Sequence, residues 1–161
     1  MIRKILIILL FALPLQSRAQ TGFSLRITDN RGNQLSTYIY QILDDSLLIK
    51  GKSEREHMVD YYSRKLNRKE IKQIKACIAE INYAELKGKY AGGYANLGYI
   101  TATNFPRIME LDLNDKHVSI NNMFVPELAS IIDCINPLLP AEVRITYNAE
   151  QFLPKEKNIE N

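Results

Sequence analysis

Tryptophan is absent from this 161-residue chain, and histidine and cysteine occur only twice each. So few imidazoles and thiols leave little from which to build a transition-metal centre. His57 and His117 have no Cys or His at ligand spacing. No Gly-x-Ser-x-Gly elbow marks a hydrolase nucleophile. Glycine numbers only seven, and Gly92, Gly93 and Gly98 share one segment. No Lys-Ser/Thr follows them, so a phosphate-binding loop is not expected. The chain reads as non-enzymatic, with no metal and no cofactor.

No apolar run approaches the roughly 20 residues that cross a bilayer. Residues 5–13 supply nine apolar residues, preceded by Arg3 and Lys4 and closed by Pro14, and Ser17-Arg18-Ala19 offers small residues for cleavage. This is the pattern of a secretory signal peptide covering residues 1–19. The mature chain, with no integral membrane segment, would then be periplasmic or secreted. Removing Arg3, Lys4 and Arg18 leaves 18 basic against 18 acidic side chains, so overall charge gives no reason to expect a nucleic-acid partner.

What remains suits one domain over residues 20–153, with a charged tail at 154–161 (PKEKNIEN) expected to be disordered. Its clearest segment is residues 66–82, LNRKEIKQIKACIAEIN. Asn67 and Glu70 form a capping box, and Leu66 with Ile71 a hydrophobic staple. Ile71, Ile74, Ile78 and Ile81 recur at 3, 4, 3 spacing, the period of one buried helix face. Pro126 opens a second helix whose stripe is Leu128, Ile131, Ile132 and Ile135.

Strand patterns surround these helices. Residues 23–27 alternate, residues 35–43 are β-branched and aromatic, and residues 47–50 and 57–65 follow as shorter strands. Met109, Leu111 and Leu113 alternate before Asn114-Asp115, and Val118 and Ile120 after it, which predicts a hairpin. Val143, Ile145 and Tyr147 predict a last edge strand. The fold class is α+β: one domain, an antiparallel sheet of about five to seven strands with two helices packed on one face.

Candidate sites are few. Residues 90–99, YAGGYANLGY, concentrate tyrosine and glycine. Such a segment is expected as an exposed loop or bulged edge, and Tyr90, Tyr94, Asn96 and Tyr99 have the character of a binding surface. Cys77 and Cys134, each beside a helix stripe, are either a disulfide or two buried thiols; both readings stay open. His57 among Glu54, Glu56 and Asp60 reads as a solvated cluster. Glu110 and Asp112 read as charge pairs with Arg107 and Lys116. Arg64, Lys65, Arg68, Lys69, Lys72 and Lys75 put six cations in twelve residues, either a solvated helix face or a contact for an acidic partner.

The element order, a meander, LNRKEIKQIKACIAEIN, a hairpin and FVPELASIIDCINPLLP, resembles small exported bacterial domains of unknown function. It is also similar to emfourin-like inhibitors of thermolysin-type metalloproteases over residues 23–140. That resemblance implies a protease-inhibitor-like role but carries over no inhibitory residue. The expected function is therefore an exported module that binds an unidentified protein partner. An envelope-associated structural or accessory protein is the alternative, and an enzyme the third reading.

Overall fold

The computed structural model describes residues 22–31, 37–52, 57–92 and 107–152. Strands β1 (Ser24–Asn30), β2 (Thr37–Leu43), β3 (Ser46–Lys52) and β4 (Met58–Lys65) form a meander. Helix α1 (Arg68–Ala79) follows, then β5 (Lys89–Ala91), the hairpin β6 (Ile108–Leu113) and β7 (Lys116–Asn121), and helix α2 (Pro126–Ile135). All seven strands lie in one sheet, in the order β4-β3-β2-β1-β6-β7-β5. Every pairing is antiparallel except β5 with β7. The signal segment and charged tail expected from sequence lie outside the described residues.

The side-chain alternation of the strands decides the layers. Leu25 and Ile27 of β1 stand opposite Ile42 and Tyr40 of β2, and opposite Leu113 and Leu111 of β6. All six are buried in one core with Ile74 and Ile78 of α1 and the apolar stripe of α2. The α+β architecture is thus a sheet with both helices on one face, and a second face left open among the described residues. Each isoleucine fully buried in this way stabilises by about 1.5–3 kcal/mol relative to exposure.

Helix α1 does more than cover the core. It carries the chain from β4 at one sheet edge toward β5 at the other, which are six inter-strand gaps apart, about 29 Å. Twelve helical residues supply about 18 Å of that distance. The capping box forms as the sequence requires: Asn67 Oδ1 accepts from the Lys69 and Glu70 N–H groups, and Glu70 accepts from the Asn67 N–H. Helix α2 begins at Pro126, where the missing N–H leaves no bond unmade. The two helices touch, and a Cys77–Cys134 disulfide joins them with the Cα atoms 5.9 Å apart. Of the two cysteine readings, the bridge is the one formed.

Tyr90 and Ala91, at the start of the stretch expected as an exposed loop or bulged edge, form with Lys89 the edge strand β5 alongside β7. One strand expectation needs correction: Val143, Ile145 and Tyr147 form no strand. Val143 ends a 3-10 turn, and the Asn136 side chain takes up both the N–H and the C=O of Ile145 at 2.9 and 3.0 Å. The Tyr147 hydroxyl accepts from the Val125 N–H and donates to the Met123 carbonyl. Alternating burial here comes from packing against α2 and the segment before it, not from a ladder.

One buried ion pair ties this C-terminal segment to the sheet. Asp29, fully buried, accepts from Arg107 Nε and Nη2 at 2.8 Å each, and from Arg31 Nε at 3.1 Å. Arg107 Nη1 donates to the Thr146 carbonyl and to Gln151 Oε1, and its guanidinium lies 5.4 Å from the Tyr147 ring centroid. Arg107 was expected to pair with Glu110 or Asp112; it pairs instead with a carboxylate on the neighbouring strand.

Two stability measurements follow. Replacing Cys77 and Cys134 by Ser should lower the unfolding free energy by ~4 kcal/mol, since the bridge closes a 57-residue separation. Arg107→Met, which strands the Asp29 carboxylate without its main partner, should cost about 3–5 kcal/mol in urea unfolding. A midpoint close to that of the unaltered chain would refute the corresponding assignment.

Candidate functional site

The sequence-derived tyrosine cluster is only partly placed. Tyr94, Asn96 and Tyr99 lie outside the described residues. Tyr90 is the central residue of β5, half-buried against the core, and its hydroxyl accepts from the Lys87 N–H at 2.9 Å. Its ring therefore holds the β5 edge at least as much as it presents a surface.

A second group of tyrosines is more accessible. Strand β4 is one edge of the sheet, with no further strand beyond it among the described residues. Its pairing with β3 passes from Ile49 opposite Tyr62 to Lys50 opposite Asp60, so Tyr61 is an extra, bulged residue. A bulge re-aims a side chain that strict alternation would send to the other face. Tyr61 thereby lies against Gly51 of β3, where a Cβ would stand 2.5 Å from Tyr61 Cε2 and 3.2 Å from Tyr38 Cε1. The Tyr61 and Tyr38 ring centroids are 5.9 Å apart, and Tyr38 and Tyr40 are 6.2 Å apart. Arg31 sits 5.9 Å from the Tyr38 centroid, on the same side.

Burial decreases steadily along this row. Tyr40 is buried, Tyr38 half-buried, and Tyr61 is 52% exposed, with Met58 and Val59 about as open at 41% and 40%. Burial also pushes the Tyr40 hydroxyl well above the ordinary phenol range, with Asp29 adding to the effect. The result is a face of Tyr38, Tyr61 and Val59 beside an edge with no further strand among the described residues. Sequence reasoning missed it, although Tyr61-Tyr62 held a clue. Consecutive tyrosines in a strand point to opposite faces unless a bulge intervenes, and Gly51 within a strand is the usual sign of close approach.

The charged candidates separate. Arg64 makes a bidentate pair with Glu70 at 3.0 Å and lies near the Leu138 carbonyl. That pair, with the Asn67 N–H, holds the Glu70 carboxyl below the usual carboxylate range. Lys65 is 3.9 Å from Asp45. Lys116 does not pair with Glu110 or Asp112; its ammonium caps the carbonyls of Tyr83 and Ala84 at 2.8 and 2.7 Å. Asp112 instead meets His117 across the hairpin, with Oδ1 and Nδ1 2.6 Å apart on the open face. His57 is exposed at the start of β4, and its expected neighbours Glu54 and Glu56 lie outside the described residues. Among the described residues no group of three or more His, Cys, Asp or Glu side chains is placed to hold a metal ion.

The Asp112 hydrogen bond, supported by the Asp112 and Glu110 charges, raises the His117 pKa above 6.5. A folded pKa above the unfolded value stabilises fully at pH below the unfolded value, and that contribution disappears as pH rises through the folded pKa. NMR titration should therefore find His117 above 6.5, and Asp112→Asn should bring it down. An unchanged titration in that variant would disprove the pairing.

No protein-family model matches this chain, and no match was found among curated proteins or solved structures.

Proposed function

We propose that this protein is an exported, non-enzymatic module that binds a protein partner along the β4 edge. The observation that carries the reading is the exposed Tyr61 ring, set beside Tyr38 on an edge strand that also exposes Met58 and Val59 and has no further strand beyond it among the described residues. An unpaired edge accepts an extended segment through main-chain hydrogen bonds, and adjacent side chains give it specificity. Tyrosine suits the task because it offers a large, stiff contact area with two rotatable bonds. Export is supported by the signal-like pattern of residues 1–19 and by the Cys77–Cys134 bridge, since disulfides persist in oxidising compartments. An inhibitor-like role, with a metalloprotease as the partner, rests on element order alone.

The chain from residue 20 onward, used as bait on an envelope extract, tests the reading. Tyr61→Ala and Tyr94→Ala/Tyr99→Ala variants run beside the parent, with melting curves confirming that each folds. Loss of an anchoring tyrosine costs about 1–2 kcal/mol or more, so retention by Tyr61→Ala should fall roughly tenfold. Equal retention by Tyr61→Ala would defeat the β4 assignment, and loss only in the Tyr94/Tyr99 variant would move the surface there. No specific protein retained by the parent would count against a binding module.

A further inference from the structure

Four cations of α1 remain after the pairs described above. Arg68, Lys72 and Lys75 follow one another at i, i+4 and i+7, with Lys69 flanking them, and all four are exposed. Among the described residues, none of the four side chains has an acidic partner, whereas Arg31, Lys50, Arg64, Lys65 and Arg107 each do. Like charges three and four residues apart weaken a helix, and cations in the first turn oppose its dipole. The repulsion within the stripe is thus a local cost to folding that no acidic partner among the described residues offsets.

The stripe also leads somewhere. The next residue along it, Ala79, lines an open depression of about 450 Å³ together with Phe23, Ile78, Tyr83 and Lys75 itself. Lys75 stands at its rim, 5.7 Å from the Phe23 ring centroid. From Arg68 to Ala79 the helix rises about 16 Å. A row of cations without acidic partners among the described residues therefore runs into an aromatic and aliphatic hollow.

We propose that this face of α1 binds an acidic polysaccharide, with its carboxylates on Arg68, Lys69, Lys72 and Lys75 and one sugar ring in the hollow beside Tyr83. Sugar rings have an apolar C–H face that packs on aromatic surfaces, and their charged groups repeat along a line, as the cations do. A bilayer fits less well, because the apolar groups here are recessed in a hollow and do not project from the surface. A nucleic acid has related chemistry. The choice of polysaccharide over nucleic acid rests on the proposed export; the proposed β4 contact is not needed for it.

Binding of the chain from residue 20 onward would be measured against polygalacturonate, neutral dextran, oligo(dT) and phosphatidylglycerol vesicles at about 0.15 M salt, where exposed charges are screened beyond about 8 Å. Polygalacturonate should bind and dextran should not. Lys72→Glu/Lys75→Glu should bind at least tenfold more weakly while melting no lower than the parent, because it relieves like-charge repulsion. Tyr83→Ala, if folded, should also bind several-fold more weakly, with an unchanged salt dependence. Undiminished binding in either variant, or tighter binding to oligo(dT) or vesicles than to polygalacturonate, would overturn the proposal. Fractionation of the tagged full chain reads export separately, and protein capture by Tyr61→Ala reads the β4 contact separately.

Discussion

The buried pair of Asp29 and Arg107 is the constraint on which most of the architecture depends. Asp29 ends the buried face of β1, the strand that joins the meander to the hairpin, and Arg107 precedes β6 on the other side of that junction. A fully buried carboxylate is tolerable only with its charge met and its oxygens occupied. Any slip of β6 along β1 would part the two groups, and a one-residue slip would also turn the apolar face of the hairpin outward. The same guanidinium holds the Thr146 carbonyl and Gln151, so the register of the central strands and the course of the C-terminal segment are secured together.

With the centre fixed, the exposed surfaces lie at the edges. The helices cover one face of the sheet, and at the β4 edge the bulge at Tyr61 and the missing side chain at Gly51 bring a ring against β3. Helix α1 shows a related division of labour around its circumference. Ile74 and Ile78 are buried, Cys77 is bridged to α2, and the remaining arc is basic. Core formation uses the first arc, and of the last only Lys75 is placed against it, over the Phe23 ring. This is why the charge stripe is better explained by a ligand than by folding.

Several elements were legible because their signals are local. Asn67 and Glu70 cap α1 through bonds within one helical turn, and Pro126 opens α2 by the same kind of short-range logic. The β2–β3 and β6–β7 connections turn at Asp44 and Asn114, with positive φ of 54° and 53°, a conformation that Asn and Asp tolerate. The candidate site was far less legible. Tyr38, Gly51 and Tyr61 come from three strands, and only the β3–β4 bulge brings their surfaces together.

The sequence by itself determined the two amphipathic helices, the meander, the hairpin and the α+β class, because periodicity, caps and turn residues act over a few positions. Tertiary structure alone decided three further matters. Cys77 and Cys134 became a bridge because α1 and α2 lie side by side. Asp29 rather than Glu110 or Asp112 received Arg107, because β1 and not the hairpin supplies the buried acid. Ile145 and Tyr147 left the sheet because Asn136 and the backbone before α2 offered their polar groups other partners. In each case the competing choices have the same local pattern, and only packing between distant segments distinguishes them.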